Sequence, residues 1–460
     1  MARWFALLAV LWPFLSARAT AAEPLKMGPP IGASWTSAYG FPPQTPEPFV
    51  PQARALGASF TRLTLYWSQL EPKPGERRWT DLDAYLGQLK APEEGFLTLE
   101  SASPWATRAG TWVFPSSPAR READYYAFVH AVVAHAKGRI RYFQSDQEPN
   151  NPFFWRGTAE EFAAQQRVFY QAVKDADPKA VVVLGGCDGL FDPTGAHPLP
   201  GQAADMAFWT TVIAQAAGAY DVFDLRLYGD PYTIPARVAV VRGLMTKAGG
   251  MKPIVASEYN GPGFFDFPVN RRWAGGMMNP ATAAETIGKL NATADTLPVE
   301  TRMFLAKASP ADRARLYALA ADDLAVRNVL ALASGVQKTA YFDLWHDSGQ
   351  APPASAVMFG AFKLLDRTDG ALAPAGPLAT AYAQLARRLN GALSVERIED
   401  AGSPDIFAFR IARRGRGPMW VAWRRPTIMG EAVAPTPLDA RWLPRRLRPL
   451  TVGSSPVFVE

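Results

Sequence analysis

Cysteine is nearly absent. Cys187 stands alone in 460 residues, which excludes an intrachain disulfide and a cluster of thiolate metal ligands. Histidine is scarce as well. There are four, none spaced as His-x-x-x-His, so a zinc site of that kind is not expected. No Gly-x-Gly-x-x-Gly follows the first strand-like run, which counts against a dinucleotide-binding fold. No Lys/Arg run is dense enough for a nucleic-acid interface, although the net charge is +6. The arginine-rich excess is partly concentrated after residue 390 and fits an acidic polymer or a charged membrane equally well. There is no internal repeat and no low-complexity linker. No cofactor, metal or nucleic-acid partner is therefore expected, and nothing speaks to the oligomeric state.

Only the N-terminus is apolar enough to concern a membrane. It reads "MARWFALLAVLWPFLSARATAAEPLK", with Arg3 ahead of an apolar run from Trp4 to Leu15 and small residues up to Ala22. That is the layout of a secretory signal peptide, residues 1–22, cleaved near Ala22. The run is short for a transmembrane span, with an uncleaved anchor as the alternative. The expected location is secreted or periplasmic, with no membrane contact beyond the signal peptide.

The remaining composition is that of a globular protein, 48% hydrophobic and 20% charged, and its 41 prolines suggest many ordered loops. Strand-like runs are read at Ile31–Trp35, Ser59–Tyr66, Gly95–Leu99, Ile140–Ser145, Ala180–Gly185, Val222–Tyr228, Pro253–Ser257 and Thr339–Leu344. Amphipathic helical stretches separate them, such as Ala119–Lys137, Ala159–Asp175 and Ala311–Ser334. Strands alternating with helices imply a parallel sheet with crossovers. About eight such units over roughly 360 residues predict an α/β fold, a (β/α)8 barrel spanning 23–391, with a doubly wound open sheet as the alternative. From residue 392 to 460 the pattern turns to short alternating strands with Gly and Pro turns, read as a small C-terminal β-sandwich. Between Glu258 and about Ser309 lies a long connection rich in aromatics and prolines, read as an ordered lid with Phe264 or Trp273 reaching a bound ligand.

Barrel active sites sit where strands end. The fourth run leads into "QSDQEPNNPFFW" and presents Glu148. The seventh, "KPIVASEYNGPG", presents Glu258. Arg62 lies in the second run, Trp105 follows the third, Tyr228 ends the sixth and Trp345 ends the eighth. Two acids among aromatics, with no Ser/His or Cys/His pairing, are what glycoside hydrolysis uses: one carboxylic acid protonates the leaving oxygen and a second carboxylate attacks or stabilises the anomeric carbon.

With these residues the chain resembles the clan A retaining glycoside hydrolases, and within the clan it is most similar to family 39. "QEPNNPFFWRGTAEEF" is similar to that family's Asn-Glu-Pro-Asn stretch, and "ASEYNGPG" to its Thr-Glu-Phe-Asn stretch. "TRLTLYWSQLEPKPGERRWTDLD" matches the clan's second strand and loop. The likeness covers most of residues 30–390. It implies a (β/α)8 barrel, a carbohydrate substrate, Glu148 as acid/base and Glu258 as nucleophile. Two departures stand out. Gln147 replaces the asparagine that binds the sugar 2-hydroxyl. Arg226 replaces the histidine of a His-x-Tyr triplet, which points to a different substrate charge or to an ion pair inside the barrel.

Gln147, Asn150, Tyr228, Trp345, Trp105, Trp155 and Arg62 are the substrate-binding candidates. Trp345 is the leading stacking candidate, whereas Trp105 and Trp155 also read as core residues. Arg62 reads equally as a clamp near the nucleophile and as an interior ion-pair partner. The implied function is a retaining hydrolase of a β-linked polysaccharide or oligosaccharide, an exopolysaccharide being one such substrate, with a cleft that suits endo action. A non-hydrolytic carbohydrate-binding protein on a decayed barrel and a transglycosidase are the alternatives.

Overall fold

Strands of four to seven residues, rich in Val, Ile, Leu and Phe, close into a parallel eight-stranded barrel. They are β1 (Ile31–Ser34), β2 (Phe60–Tyr66), β3 (Glu94–Glu100), β4 (Ile140–Ser145), β5 (Val181–Cys187), β6 (Val222–Leu225), β7 (Ile254–Tyr259) and β8 (Val336–Phe342). β8 pairs back onto β1, so the sheet has no edge. The computed structural model describes residues 24–35, 39–40, 46–188, 202–346 and 353–460. The expected signal peptide lies outside these. Among the described residues, no helix is long and apolar enough to cross a membrane.

The barrel is as the sequence implied, with several strand ends corrected: β5 runs on to Cys187, β7 runs on to Tyr259 and so includes Glu258, and β8 ends at Phe342. β6 stops at Leu225, so Arg226 and Tyr228 stand on the loop beyond it. β8 begins at Val336, three residues before the expected start.

Side chains alternate across each strand, and this sorts the barrel lumen into layers. Phe60, Phe96, Tyr142, Val183, Val222, Val255 and Ala340 form an apolar plug nearer the strand starts. Two residues further along five of these strands come Arg62, Thr98, Gln144, Asp224 and Ser257, all buried and polar. The lumen therefore passes from an apolar floor to a hydrogen-bonded layer directly below the strand ends.

Helices cover the barrel. The Ala159–Ala176 helix begins with a capping box: Thr158 Oγ1 accepts from the Glu161 amide at 3.2 Å, and Glu161 Oε2 accepts from the Thr158 amide at 2.8 Å. The long Pro310–Ala333 helix is capped by Ser309, and its second half is almost wholly buried. The connection after β7 is ordered, as expected, and folds into short helical turns. Phe264, however, is buried against Phe265 and Phe304 and has no open face to offer a ligand.

Beyond β8 comes a hairpin of β9 (Leu365–Thr368) and β10 (Ala371–Pro374). The C-terminal region is a four-stranded antiparallel sheet of β11 (Ala392–Arg397), β12 (Ile406–Arg413), β13 (Met419–Arg424) and β16 (Val457–Val459). A two-stranded pair, β14 (Thr436–Leu438) and β15 (Leu450–Val452), accompanies it. The strict alternation of β12 and β13 gives the sheet two apolar faces. Phe407, Phe409, Val421 and Trp423 join the main core, and Trp423 Nε1 donates to Tyr232 OH at 2.9 Å. Ile406, Ala408, Trp420 and Ala422 pack with Leu450 and Val452. This is the sandwich-like region expected after residue 391.

Candidate active site

Glu148 reaches the mouth because the chain turns sharply after β4. Asp146 and Glu148 both have left-handed backbone, with φ of 50° and 44°. A non-glycine residue there carries strain of order 1–3 kcal/mol, so the surroundings must hold it. They do so through Asp146, whose Oδ1 accepts from the Ser101 amide at 2.6 Å and from Ser101 Oγ at 2.8 Å, while its own amide donates to Leu99 O at 3.0 Å.

Glu258 is delivered by an irregularity in β7. The register against β8 shifts between Ala256 and Tyr259. Such a shift interrupts the alternation of faces, and Ser257 and Glu258 both bond within the lumen. Ser257 donates its amide and its hydroxyl to Asp224, each at 2.7 Å. Glu258 Oε1 accepts from Arg62 Nη1, and its Oε2 accepts from Tyr228 OH at 3.0 Å.

Arg226 joins the two acids. Its Nη2 lies 3.2 Å from Glu258 Oε1, its Nε 3.5 Å from Glu148 Oε1, and its Nη1 3.4 Å from Asp224 Oδ2. Nη1 also donates to Ser257 Oγ. The guanidinium is fully buried and lies against Gly186, where a Cβ would come within 2.3 Å of Nε. Two further buried arginines clamp the loop that carries it. Arg237 donates to the carbonyls of Arg226 and Tyr228, and Arg327 to that of Leu227.

The charges of this cluster nearly balance. Arg62 and Arg226 face Asp224, Glu148 and Glu258. With all three acids ionised there is one negative charge too many; with Glu148 protonated the five groups are neutral. In keeping with this, burial first and then the Asp188 carboxylate push the Glu148 carboxyl well above its usual range. Glu258 adds to the effect and Arg226 opposes it. Burial likewise raises the Tyr228 phenol, helped by Glu258 and Glu148, so Tyr228 stays a donor.

Each expected site residue has a definite place. Arg62 fills both roles at once. It is a buried interior arginine with Nε on Thr98 Oγ1 at 2.9 Å, and it clamps Glu258. Gln147 approaches the same guanidinium, with Oε1 3.3 Å from Arg62 Nη2. Tyr228 contacts Glu258. Asn150 turns away to bond Asp188 O at 3.1 Å and Asp205 Oδ1 at 2.8 Å, which ties the β4 loop to the β5 loop. Trp105 is half-buried, with its indole N–H on Glu71 O at 2.9 Å and its ring edge on Trp67. Trp155 is a correction: at 3% exposure, edge-on against Phe162, it has no free ring face and serves the core. Trp345 is half-buried, with Lys363 Nζ 5.1 Å and the Arg367 guanidinium 5.2 Å from its ring centre.

Sequence reasoning missed several members. Asp224 is one, although an acid two residues before Arg226 in an apolar run was a readable sign of an interior ion pair. Asp188 and Asp343 are others. Asp343 is fully buried just past β8, bonded to His346 Nδ1 at 3.0 Å, and its carboxyl is raised by burial, with Glu258 among the charges acting on it. An aromatic group on the loops after β3 and β4 was also missed. Phe114 packs against Tyr66, Phe153 and Phe154, while Trp112 and Phe153 are each 57% exposed.

No protein-family model matches the sequence, and no curated protein matches it. Solved structures do. A family 39 glycoside hydrolase from the gut symbiont Bacteroides cellulosilyticus WH2 is 14% identical, with a TM-score of 0.54 over 94% of this chain and 80% of that one. A monomeric β-xylosidase from Caulobacter crescentus CB15 is 15% identical, with a TM-score of 0.52 over 85% and 74%. An endo-β1,6-glucanase is 10% identical, with a TM-score of 0.53 over 91% and 88%. The chain is thus similar in fold to family 39 and to other glycoside hydrolases.

Proposed function

We propose that the protein is a retaining β-glycoside hydrolase working by double displacement, with Glu258 as nucleophile and Glu148 as acid/base. The observation that carries this reading is the Arg226 guanidinium shared by two glutamates from β4 and β7. In the first step a Glu258 oxygen attacks the anomeric carbon while Glu148 gives its proton to the departing glycosidic oxygen, whose bond to that carbon breaks. Glu258 is then an ester and no longer charged. One of the negative charges that raised the Glu148 carboxyl is thereby removed while both guanidiniums remain, which favours the ionised form of Glu148. Glu148 can now take a proton from water, whose oxygen attacks the anomeric carbon and releases Glu258.

The substrate we propose is a β-linked polysaccharide or oligosaccharide, cut within the chain. The exposed rings of Trp112 and Phe153 on the loops after β3 and β4 support it, because they offer apolar faces on which further sugar units can stack. A bacterial exopolysaccharide, met after secretion or in the periplasm, fits this reading and the N-terminal apolar segment. Arg226 takes part in the acid cluster, so its replacement of a histidine gives no support to a decayed site.

The test is covalent trapping. A 2-deoxy-2-fluoro glycoside with an activated leaving group should inactivate the protein and leave the sugar on the peptide holding Glu258, as read by mass spectrometry. Label on another residue, or release of the inverted anomer by NMR, would overturn the reading. A panel of β-linked exopolysaccharides and aryl glycosides, scored by reducing ends, then identifies the sugar.

A further inference from the structure

Five arginines crowd one surface concavity of about 250 Å³: Arg387, Arg388, Arg413, Arg414 and Arg416, with Gly391 between them. The first two end the Gly376–Leu389 helix, and the others lie at the end of β12 and on the turn after it. Asn390 fixes the location. Its Oδ1 accepts from the amide of Ile31, the first residue of β1, at 2.8 Å, and its Nδ2 donates to Gly57 O at 2.7 Å. The concavity therefore lies by the strand starts, at the end of the barrel opposite Glu148 and Glu258.

Two arginines at a helix C-terminus are ordinary complements to its dipole. Five around one hollow are not explained that way. Arg413 Nη1 pairs with Glu460 at 2.7 Å, and its side chain is only 6% exposed. Arg388 lies over the Phe458 ring; burial lowers its guanidinium from the usual range, the Glu460 carboxylate opposes the shift and the nearby Arg387 charge adds to it. Among the described residues, Arg387, Arg414 and Arg416 have no carboxylate within ion-pair distance. Arg387, Arg414 and Arg416 are exposed and surround the half-buried Arg388 and Arg413, so like charges converge on one hollow, an arrangement that an anion relieves.

We infer that this recess is a binding site for an acidic glycan, taking a carboxylate, sulfate or phosphate carried on a sugar. The inference rests on the reading of the protein as carbohydrate-active. Planar guanidinium forks suit such oxyanions through paired hydrogen bonds. A recess of this volume holds a sugar-sized group, whereas duplex nucleic acid or a lipid surface is met by an extended cationic face. The site would hold an acidic polysaccharide on the far side of the barrel from its cleavage point and so raise the local concentration of substrate.

The experiment compares wild type with Arg387→Ser/Arg414→Ser/Arg416→Ser, which changes only surface side chains. A second variant, Arg387→Lys/Arg414→Lys/Arg416→Lys, keeps the charge. Calorimetric titration uses an oligogalacturonate, a sulfated heparin oligosaccharide, a neutral xylo-oligosaccharide and vesicles containing phosphatidylglycerol. We expect saturable binding of at least one acidic oligosaccharide, weakened at least tenfold by the serine variant and severalfold by the lysine variant. Neutral oligosaccharide binding and hydrolysis of a small aryl glycoside should not change. No saturable binding of either acidic oligosaccharide, equal binding by wild type and the serine variant, or vesicle binding stronger than oligosaccharide binding would each overturn the site. Failure of wild type to cleave any glycoside would instead count against the catalytic reading and leave the titration to stand.

Discussion

Glu148 and Glu258 meet on one guanidinium. Arg226 Nε is 3.5 Å from the first and its Nη2 3.2 Å from the second, inside a fully buried cluster. Two unit charges about 4 Å apart interact by roughly 4 kcal/mol at an effective dielectric of about 20. One pKa unit corresponds to about 1.4 kcal/mol, so a single change of charge here can decide where a proton resides.

Removing the guanidinium should therefore be costly in two separable ways. Arg226→Ala leaves three buried carboxylates with only Arg62 to face them, and we expect a stability loss of about 3–5 kcal/mol in denaturant titration. Arg226→Lys keeps a positive charge but cannot span both acids with adjacent nitrogens. It should fold, and its kcat should fall by about tenfold or more while KM changes little. Wild-type kcat in Arg226→Lys would show that the shared fork is irrelevant to the chemistry.

Gly186→Ala tests the same relationship from outside the acids. A Cβ at this position would stand 2.3 Å from Arg226 Nε and 2.6 Å from its Cζ. The guanidinium must move, because the opposing atoms belong to a side chain held on three carboxylates and the Ser257 hydroxyl. We expect kcat to drop severalfold or more, with a stability loss of about 1–3 kcal/mol from overpacking. Gly218→Ala, on the turn before β6, where a Cβ meets nothing within 4 Å, serves as the control. Equal behaviour of the two variants would mean that Arg226 adapts freely.

The eight barrel strands were legible because burial on both faces makes each a short apolar run between turn signals. Glu148 and Glu258 were legible because both stand at strand ends. What the one-dimensional pattern does not carry is which neighbour a side chain meets. Trp155 and Phe264 looked available to a sugar and are buried, since an aromatic on a loop packs inward as readily as outward. Asn150 has the amide for a sugar contact and spends it on Asp188 and Asp205. The β9–β10 hairpin was there to be read: Asp369-Gly370, with φ of 51° and 82°, is a hairpin turn signal that went unused. Asp343 needed the pairing of β7 with β8, which sets it near Glu258, and the Arg62–Glu258 contact needed the closure of β8 on β1, which carries β2 round to β7.

Asp188 should set the alkaline limit of activity. The reaction needs protonated Glu148, and the basic limb of kcat/KM reports that proton in the free protein. Asp188 is the largest of the charges raising the Glu148 carboxyl. Asp188→Asn should move the basic limb to lower pH. The same substitution should alter stability in a defined direction. A carboxyl whose folded pKa is raised supports the fold below its unfolded value, and that support is lost as pH rises towards the folded value. Asp188→Asn narrows this window, so the decline of Tm above the ordinary carboxylate range should become shallower. A basic limb that stays in place, or moves to higher pH, would remove Asp188 from the electrostatics of the site.

The two glutamates should differ in what their loss abolishes. Glu258→Ala removes the attacking oxygen, so it should be inactive on every glycoside, including those with dinitrophenol as leaving group. Glu148→Ala removes only proton transfer. On natural linkages it should lose about 10²–10⁴-fold, the usual worth of general acid catalysis. On dinitrophenyl glycosides the leaving group departs without a proton, and the first step should be almost unaffected. The glycosyl ester on Glu258 should then accumulate, because water lacks its base. Azide needs no base, and with the Glu148 carboxylate gone it meets less negative charge at the mouth. It should restore turnover and yield the β-glycosyl azide. The inverse pattern, with azide rescue of Glu258→Ala giving the α-azide, is the second signature of the assigned roles. Equal losses in both variants on activated and natural substrates, with no azide product from either, would return Glu148 and Glu258 to the status of buried ion-pair partners of Arg226.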